Sequence, residues 1–246
     1  MIHDGREALV VDPGDAAPVL QALQQLNLAL VAILVTHHHA DHIMGLDPLR
    51  ESYAGPIYGP AQERIPQVTH PLCEGDQFTA LGLDWTVWDT PGHRATHIAF
   101  LTDPAPGAPW PARLLMSGDT IFSAGCGRVF DGSLETLHAS LERLATLPDD
   151  TLVCPTHEYT VANLTFAKAV EPDNAQVDLA LERCLAQRAQ GEPTLPTTIG
   201  LERLINPFIR TRESAVIASA RQQGAPDDSS QAVFNALRLW KNHFKA

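Results

Sequence analysis

The pattern that most limits the fold is a repeated one: an apolar, strand-like run that ends in a potential metal ligand. "VAILVT" (31–36) precedes His37, and "WTVWDTPG" (85–92) precedes His93. "RLLMSG" (113–118) precedes Asp119, and "TLVCPT" (151–156) precedes His157. Strand ends of one sheet lie close together, and the loops there build sites. A chain of this kind must therefore bring four strand ends to one rim.

The run "THHHADH" (36–42) adds further donors. In extended backbone, residues two apart point the same way. His37 and His39 can grip one cation together while His38 faces elsewhere. Asp41 and His42 fall further along and can face a second. Zinc takes imidazole nitrogen and carboxylate oxygen at about 2.0–2.2 Å. His37, His39 and His93 would make one site, and Asp41, His42 and His157 its neighbour. Asp119, with two oxygens, can bridge them. Two cations roughly 3.5–4 Å apart share a water, which becomes hydroxide near neutral pH. Imidazole ligands bind metal when neutral, so occupancy should fail in acid. His38, His70, His97, His138 and His243 read as structural or exposed, with His38 packing beneath the site. Asp89 is a candidate acceptor for a ligand imidazole.

Around these ligands, "ALVVD" (8–12), "VAILVT", "PIYGP", "FTALG", "DWTVWDT", "HIAFLT", "RLLMSGD" and "TLVCPTH" read as strands. Residues 16–29 have helical spacing, with Val19, Leu20, Leu23, Leu26 and Leu30 near one face. Residues 133–147 predict an amphipathic helix capped by Ser133. "TDPAPGAPWPAR" (102–113) reads as a surface loop. Beyond about residue 160 the pattern turns helical, and Gly191 suits a helix C-terminus. An α/β fold follows: two packed sheets covered by helices, over residues 1–159, and a helical subdomain over 160–246.

Composition narrows the function classes. Of 246 residues, 44% are apolar and 19% charged, so a packed core is expected. Residues 1–159 hold 7 Lys and Arg against 20 Asp and Glu; residues 160–246 hold 10 against 9. No basic stripe suits nucleic acid. No apolar run approaches the roughly 20 residues of a membrane span. The N-terminus lacks a basic then apolar leader pattern. Four cysteines without CxxC spacing read as reduced thiols, and the location expected is cytoplasmic.

"THHHADH" matches the HxHxDH signature of the metallo-β-lactamase superfamily. "DTPGH" (89–93), "GDTIFSAGCGR" (118–128) and "CPTHEYTVANLTFA" (154–167) resemble one branch of it, the glyoxalase II or hydroxyacylglutathione hydrolase family. The resemblance implies the αββα sandwich with a helical C-terminal subdomain that binds glutathione. It implies hydrolysis of S-D-lactoylglutathione to D-lactate and glutathione by a metal-bridging hydroxide, the second step of methylglyoxal detoxification. It implies two divalent metals, usually zinc, with iron or manganese accommodated. The ligands are then His37, His39, His93, Asp41, His42, His157 and the bridging Asp119, and Asp41 also orients the nucleophile. Glutathione is anionic, and a domain at −13 would repel it without local cations. Arg128 and Tyr159 occupy glutathione-contacting positions of the family. Arg238 and Lys241, three apart on one helix face, match its basic pair for the glycine carboxylate. A monomer is expected.

Departures from the family pattern are Phe130 after "GCGR", Thr96 and Met44 at positions where glycine is common, and a late start. Relatives carry one further strand before "ALVVDPG", so the sheet edge there is expected to be exposed. The competing readings are a one-iron persulfide dioxygenase using His37, His93 and Asp119, a β-lactamase-like hydrolase, and an inactive metal-bound protein. The intact Asp41, His42 and His157 and the tail "RLWK" speak against the first, and the same tail speaks against the second.

Overall fold

The computed structural model describes residues 1–103 and 113–245. Most of the loop expected over 102–113 lies outside the described residues. The chain forms two compact units: Met1–Asp89 with Thr96–Gly118, and Thr90–Ala95 with Asp119–Ala246.

The first unit runs β1 (Ile2–His3), β2 (Glu7–Val11), α1 (Ala16–Leu26), β3 (Ala29–Leu34), α2 (Ala40–Ile43), α3 (Leu46–Arg50), β4 (Ile57–Pro60) and β5 (His70–Leu72). It continues through β6 (Gln77–Ala80), β7 (Leu83–Asp89), β8 (Ile98–Thr102) and β9 (Leu114–Gly118). One sheet has the order β1-β2-β3-β4-β5, with β2 to β5 parallel and β1 antiparallel. β6 to β9 form an antiparallel meander. β3, and β2 from Ala8 on, are continuously apolar because a central parallel strand is covered on both faces. One face of the parallel sheet packs Ile33 and Ile57 against Ala16, Leu46 and Leu49 of α1 and α3. Elsewhere in the unit, Tyr58 stacks on Phe78 at 4.1 Å, and Phe78 meets the buried Trp85 and Phe100.

Two expectations are corrected here. The sheet edge beside "ALVVD" is not bare: β1 pairs Ile2 with Leu9 and His3 with Ala8. The helix expected over 16–29 stops at Leu26, where Asn27 takes a left-handed φ of 52°. Leu30 therefore belongs to β3, and Leu20 and Leu26 are 40% and 52% exposed rather than facing the core.

The second unit holds β10 (Ile121–Phe122), β11 (Gly125–Cys126), α4 (Leu134–Leu144), β12 (Leu152–Pro155), α5 (Thr160–Val170) and α6 (Ala175–Ala189). β13 (Thr197–Thr198), α7 (Ile199–Ile205), α8 (Ser214–Gln222) and α9 (Ser230–His243) complete it. Ser133 caps α4 as expected, in a reciprocal box with Thr136. Gly191, just past α6, has a φ of +74°, which glycine adopts without a Cβ penalty. α8 has no counterpart in the sequence reading, because its small residues give little apolar contrast. Leu164, Ala167, Val177, Ala180 and Ile205 form one core cluster of this unit. Phe166, Phe208, Phe234, Trp240 and Phe244 form an aromatic one. The mixed sheets, flanking helices and helical C-terminal region are the fold class expected. The four cysteines are free. Among the described residues no helix is long and apolar enough to cross a membrane.

Candidate active site

In the first unit, the chain leaves β3 at Thr36 and delivers four donors in sequence. His37 and His42 are buried, His39 is half-buried and Asp41 is exposed. His39 is the residue before α2, so Asp41 and His42 sit in that helix's only turn. The His37 and His39 rings lie 4.6 Å apart, and those of His37 and His42 4.0 Å apart. His42 Nε2 is 3.8 Å from Asp41 Oδ2.

The turn after β2 lets α2 come so close. A Cβ on Gly14 would collide with the Asp41 carbonyl, and Gly45 N–H donates to Pro13 O at 2.8 Å. Met44, by contrast, is 63% exposed, so a side chain is tolerated there while Gly45 is required. Thr96, the other glycine departure, has found a partner: its hydroxyl donates to Glu63. Glu63 also pairs with His38 Nδ1 at 2.7 Å, and the His38 ring meets the His39 ring edge-on at 5.7 Å.

One residue of this half escaped the sequence reading. Asp12 is buried at the end of β2, with a left-handed φ of 47°. Its Oδ1 accepts from Thr36 N–H at 2.7 Å, and its Oδ2 accepts from Thr36 Oγ1 at 2.7 Å. Oδ2 also meets His42 Nδ1 at 3.0 Å, and Thr36 Oγ1 meets His37 Nδ1 at 3.0 Å. The Thr36 hydroxyl proton goes to Asp12, so its oxygen accepts from His37 Nδ1–H. Both imidazoles thus carry their proton on Nδ1 and their lone pair on Nε2, as a metal ligand needs. The signal available was "VVDPG": an aspartate ending the strand next to the one that ends at His37. The Asp89 N–H donates to Glu74 Oε2 at 2.6 Å.

In the second unit, Asp119 lies between two imidazoles. Its Oδ2 is 3.6 Å from His93 Nε2, and its Oδ1 is 3.5 Å from His157 Nε2. These separations exceed a hydrogen bond. They match the roughly 3.4 Å between two donors of one tetrahedral zinc. Asp119 is buried, and Thr156 Oγ1 donates to its Oδ1 at 2.6 Å. His93 Nδ1 donates to Arg128 O at 2.7 Å, which again leaves the Nε2 lone pair toward the carboxylate. A Cβ on Gly127 would strike the Asp119 carbonyl, so the glycine of "CGR" is a packing requirement.

The remaining candidates also lie in this unit. Arg128 and Tyr159 are exposed. The Tyr159 ring stacks on His157 at 4.9 Å. Arg238 is buried, over the Phe208 ring; it donates to Cys126 O at 3.0 Å and to Asn242 Oδ1 at 3.3 Å. Lys241 is half-buried over Phe166 and donates to Ala162 O at 3.0 Å. Burial, reinforced by Arg238, lowers the Lys241 ammonium to about 8. Phe130 is 60% exposed, with its ring edge-on to His93 at 5.2 Å. The buried Cys126 thiol is pushed up by desolvation and is no nucleophile. His97 and His138 are buried and His70 and His243 exposed; His138 bonds Gln231 and Ser230.

Residues 1–157 match the metallo-β-lactamase superfamily, and residues 158–244 match the hydroxyacylglutathione hydrolase C-terminus. The chain belongs to the hydroxyacylglutathione hydrolase family. A hydroxyacylglutathione hydrolase of Albidiferax ferrireducens is 51% identical over 99% of this chain and 94% of its own length. Among solved structures, ETHE1 from Myxococcus xanthus aligns with a TM-score of 0.64 at 25% identity, over 96% of this chain and 82% of its own. TTHA1623, solved in a di-iron-bound form, aligns with a TM-score of 0.53 at 27% identity, over 81% and 87%. Membership accounts for both halves of the chain. The hydroxyacylglutathione hydrolase C-terminal model covers the α5–α9 region that holds Tyr159, Arg238 and Lys241.

Proposed function

We propose that this chain hydrolyses S-D-lactoylglutathione to D-lactate and glutathione at a two-metal centre. The observation that carries the reading is Asp119, whose two oxygens address two different imidazoles, His93 and His157. His37, His39 and His93 would hold one divalent cation, Asp41, His42 and His157 the other, with Asp119 shared. All seven come from one chain, so a monomer suffices. The nitrogen-rich set suits zinc, and iron or manganese can be accommodated. TTHA1623, with its two irons, supports a two-metal reading of this fold. When bound, such cations supply a hydroxide nucleophile near neutral pH and polarise the thioester carbonyl.

The chain's own residues do the rest. Asp12 and Thr36 fix the tautomers of His42 and His37, and the Arg128 carbonyl fixes that of His93. Asp41, exposed beside His42, orients the attacking oxygen. The leaving thiolate needs no proton donor, which fits the absence of a candidate general acid in the reading. Arg128, Tyr159, Arg238 and Lys241 hold the glutathione moiety, with the cations answering its carboxylates.

Elemental analysis of the purified protein alongside an S-lactoylglutathione assay tests the whole reading. Two metals per chain and loss of the thioester absorbance are expected. One iron per chain, with oxygen uptake on glutathione persulfide, would sink it. Lys241 gives a second check. Its ammonium loses its proton above about 8, so KM should climb as pH rises through that value. Lys241→Ala should raise KM about tenfold at pH 7, as loss of one charge-assisted contact does, and flatten the climb. An unchanged KM would remove Lys241 from the substrate contacts.

A further inference from the structure

Between Asp119 and Arg128 the chain makes a tight hairpin, β10 to β11, with Ser123 and Ala124 at its tip. Ala124 has a φ of +54°, a left-handed conformation that costs a non-glycine residue about 1 kcal/mol. The hairpin is too short to hold itself: only two residues pair with two. Its polar backbone groups are met instead by side chains from three C-terminal helices. Asn163 of α5 donates to Ser123 O at 3.1 Å. Asn206 Nδ2, immediately after α7, donates to Gly125 O at 2.9 Å and Phe122 O at 3.3 Å. Arg238 of α9 donates to Cys126 O at 3.0 Å.

Glu202 of α7 stands at the centre of this arrangement. It is wholly buried, yet no cation faces it among its bonded neighbours. Its Oε2 accepts from Ala124 N–H at 2.7 Å and from Asn206 Nδ2 at 3.0 Å, and its Oε1 accepts from Thr197 Oγ1 at 2.7 Å. A carboxyl buried without a counter-ion is costly, and a site that keeps one uses its acceptors. We propose that Glu202 is a positioning residue for substrate binding: by taking the Ala124 N–H, it locks the hairpin that sets Arg128 in place. Glu202 touches no substrate in this reading. Asp119 has its own anchor in Thr156, but the Arg128 carbonyl also meets His93, so metal content is measured beside KM; the effect expected of Glu202 is on the Arg128 side chain. The inference rests on Arg128 being a glutathione contact.

The conservative amide separates positioning from charge. In Glu202→Gln the amide oxygen can still accept from Ala124 and Asn206, while its NH2 faces the Thr197 hydroxyl, which can turn to accept. Burial already pushes the Glu202 carboxyl up to about 7, so an uncharged group there is well tolerated. Glu202→Ala leaves the Ala124 N–H without its acceptor and removes one of the three acceptors of the Asn206 amide.

The test is a double-mutant cycle on metal-loaded enzyme with S-lactoylglutathione, measuring KM, kcat and metal content for E202A, R128A, both together, and E202Q. R128A should raise KM about tenfold, the loss of one charge-assisted contact. E202A should raise KM several-fold with kcat and metal content held. The double variant should be no worse than R128A alone, and E202Q should stay near the wild type. Should E202A not fold, E202D, which keeps the carboxylate but withdraws it from Ala124, replaces it. If R128A leaves KM unchanged, the glutathione reading of Arg128 fails. If R128A raises KM but Glu202 variants do not, or the two effects multiply, the positioning role of Glu202 is overturned.

Discussion

Asp119→Ala is expected to strip the protein of metal and of nearly all activity. No other ligand in the proposed set offers an oxygen to both cations. Its two oxygens lie 3.6 Å from His93 Nε2 and 3.5 Å from His157 Nε2. Removing the carboxylate leaves those imidazoles without their shared anionic partner and leaves the Thr156 hydroxyl without its acceptor. The surrounding strand should survive, since Ser117 and Gly118 are buried in β9. A cation that activates a nucleophile and polarises a carbonyl supplies several kcal/mol, and each 1.4 kcal/mol is tenfold. A fall in kcat/KM of about 10³-fold or more follows. Elemental analysis and the lactoylglutathione assay read both consequences. Full metal content in this variant would eliminate the bridging role.

The second large effect is expected at a residue that binds no metal in the proposed set. Asp12→Asn keeps the shape of the side chain but cannot keep its bonds. Asp12 accepts from three donors: Thr36 N–H, Thr36 Oγ1–H and His42 Nδ1–H. An asparagine must turn its NH2 toward one side of this set. Facing Thr36 N–H, it sets donor against donor. Facing His42, it pushes the imidazole proton toward Nε2, where the lone pair is needed. Groups that orient ligand imidazoles are worth about 10- to 100-fold in metal affinity. Competition with a chelator should show a loss of that size for Asp12→Asn, with a fold intact by circular dichroism. Wild-type affinity would mean that His37 and His42 are oriented by packing alone.

These two residues mark where sequence and tertiary structure part. The seven candidate ligands were legible because coordination chemistry demands particular residue types at short spacing. HxHxDH directly after an apolar strand satisfies that demand within a few residues. The strands and most helices were legible for the same local reason. Ser133 capping α4 and the two-residue alternation of "DWTVW" need no knowledge of the rest of the chain. The errors were local too. Periodicity carried α1 three residues too far, because Asn27 adopting a left-handed φ is a single-residue event that a periodic pattern averages away.

Arg238 shows the next limit. On a helical wheel it reads as one of a basic pair with Lys241. In the fold it is buried and donates to the Cys126 carbonyl, 112 residues away. Asp12 meets its partners across 24 and 30 residues, and Glu202 meets Ala124 across 78. Nothing local to an aspartate after "VV" or a glutamate in "GLERL" says which distant N–H it will accept. The sequence alone determined which side chains could bind metal, and the family to which their spacing belongs. Only the tertiary structure decided which nitrogen of His37, His42 and His93 carries the proton and which buried carboxylates brace these elements. Those depend on where the chain crosses itself, and a hydrogen bond is decided by tenths of an ångström that no sequence period encodes.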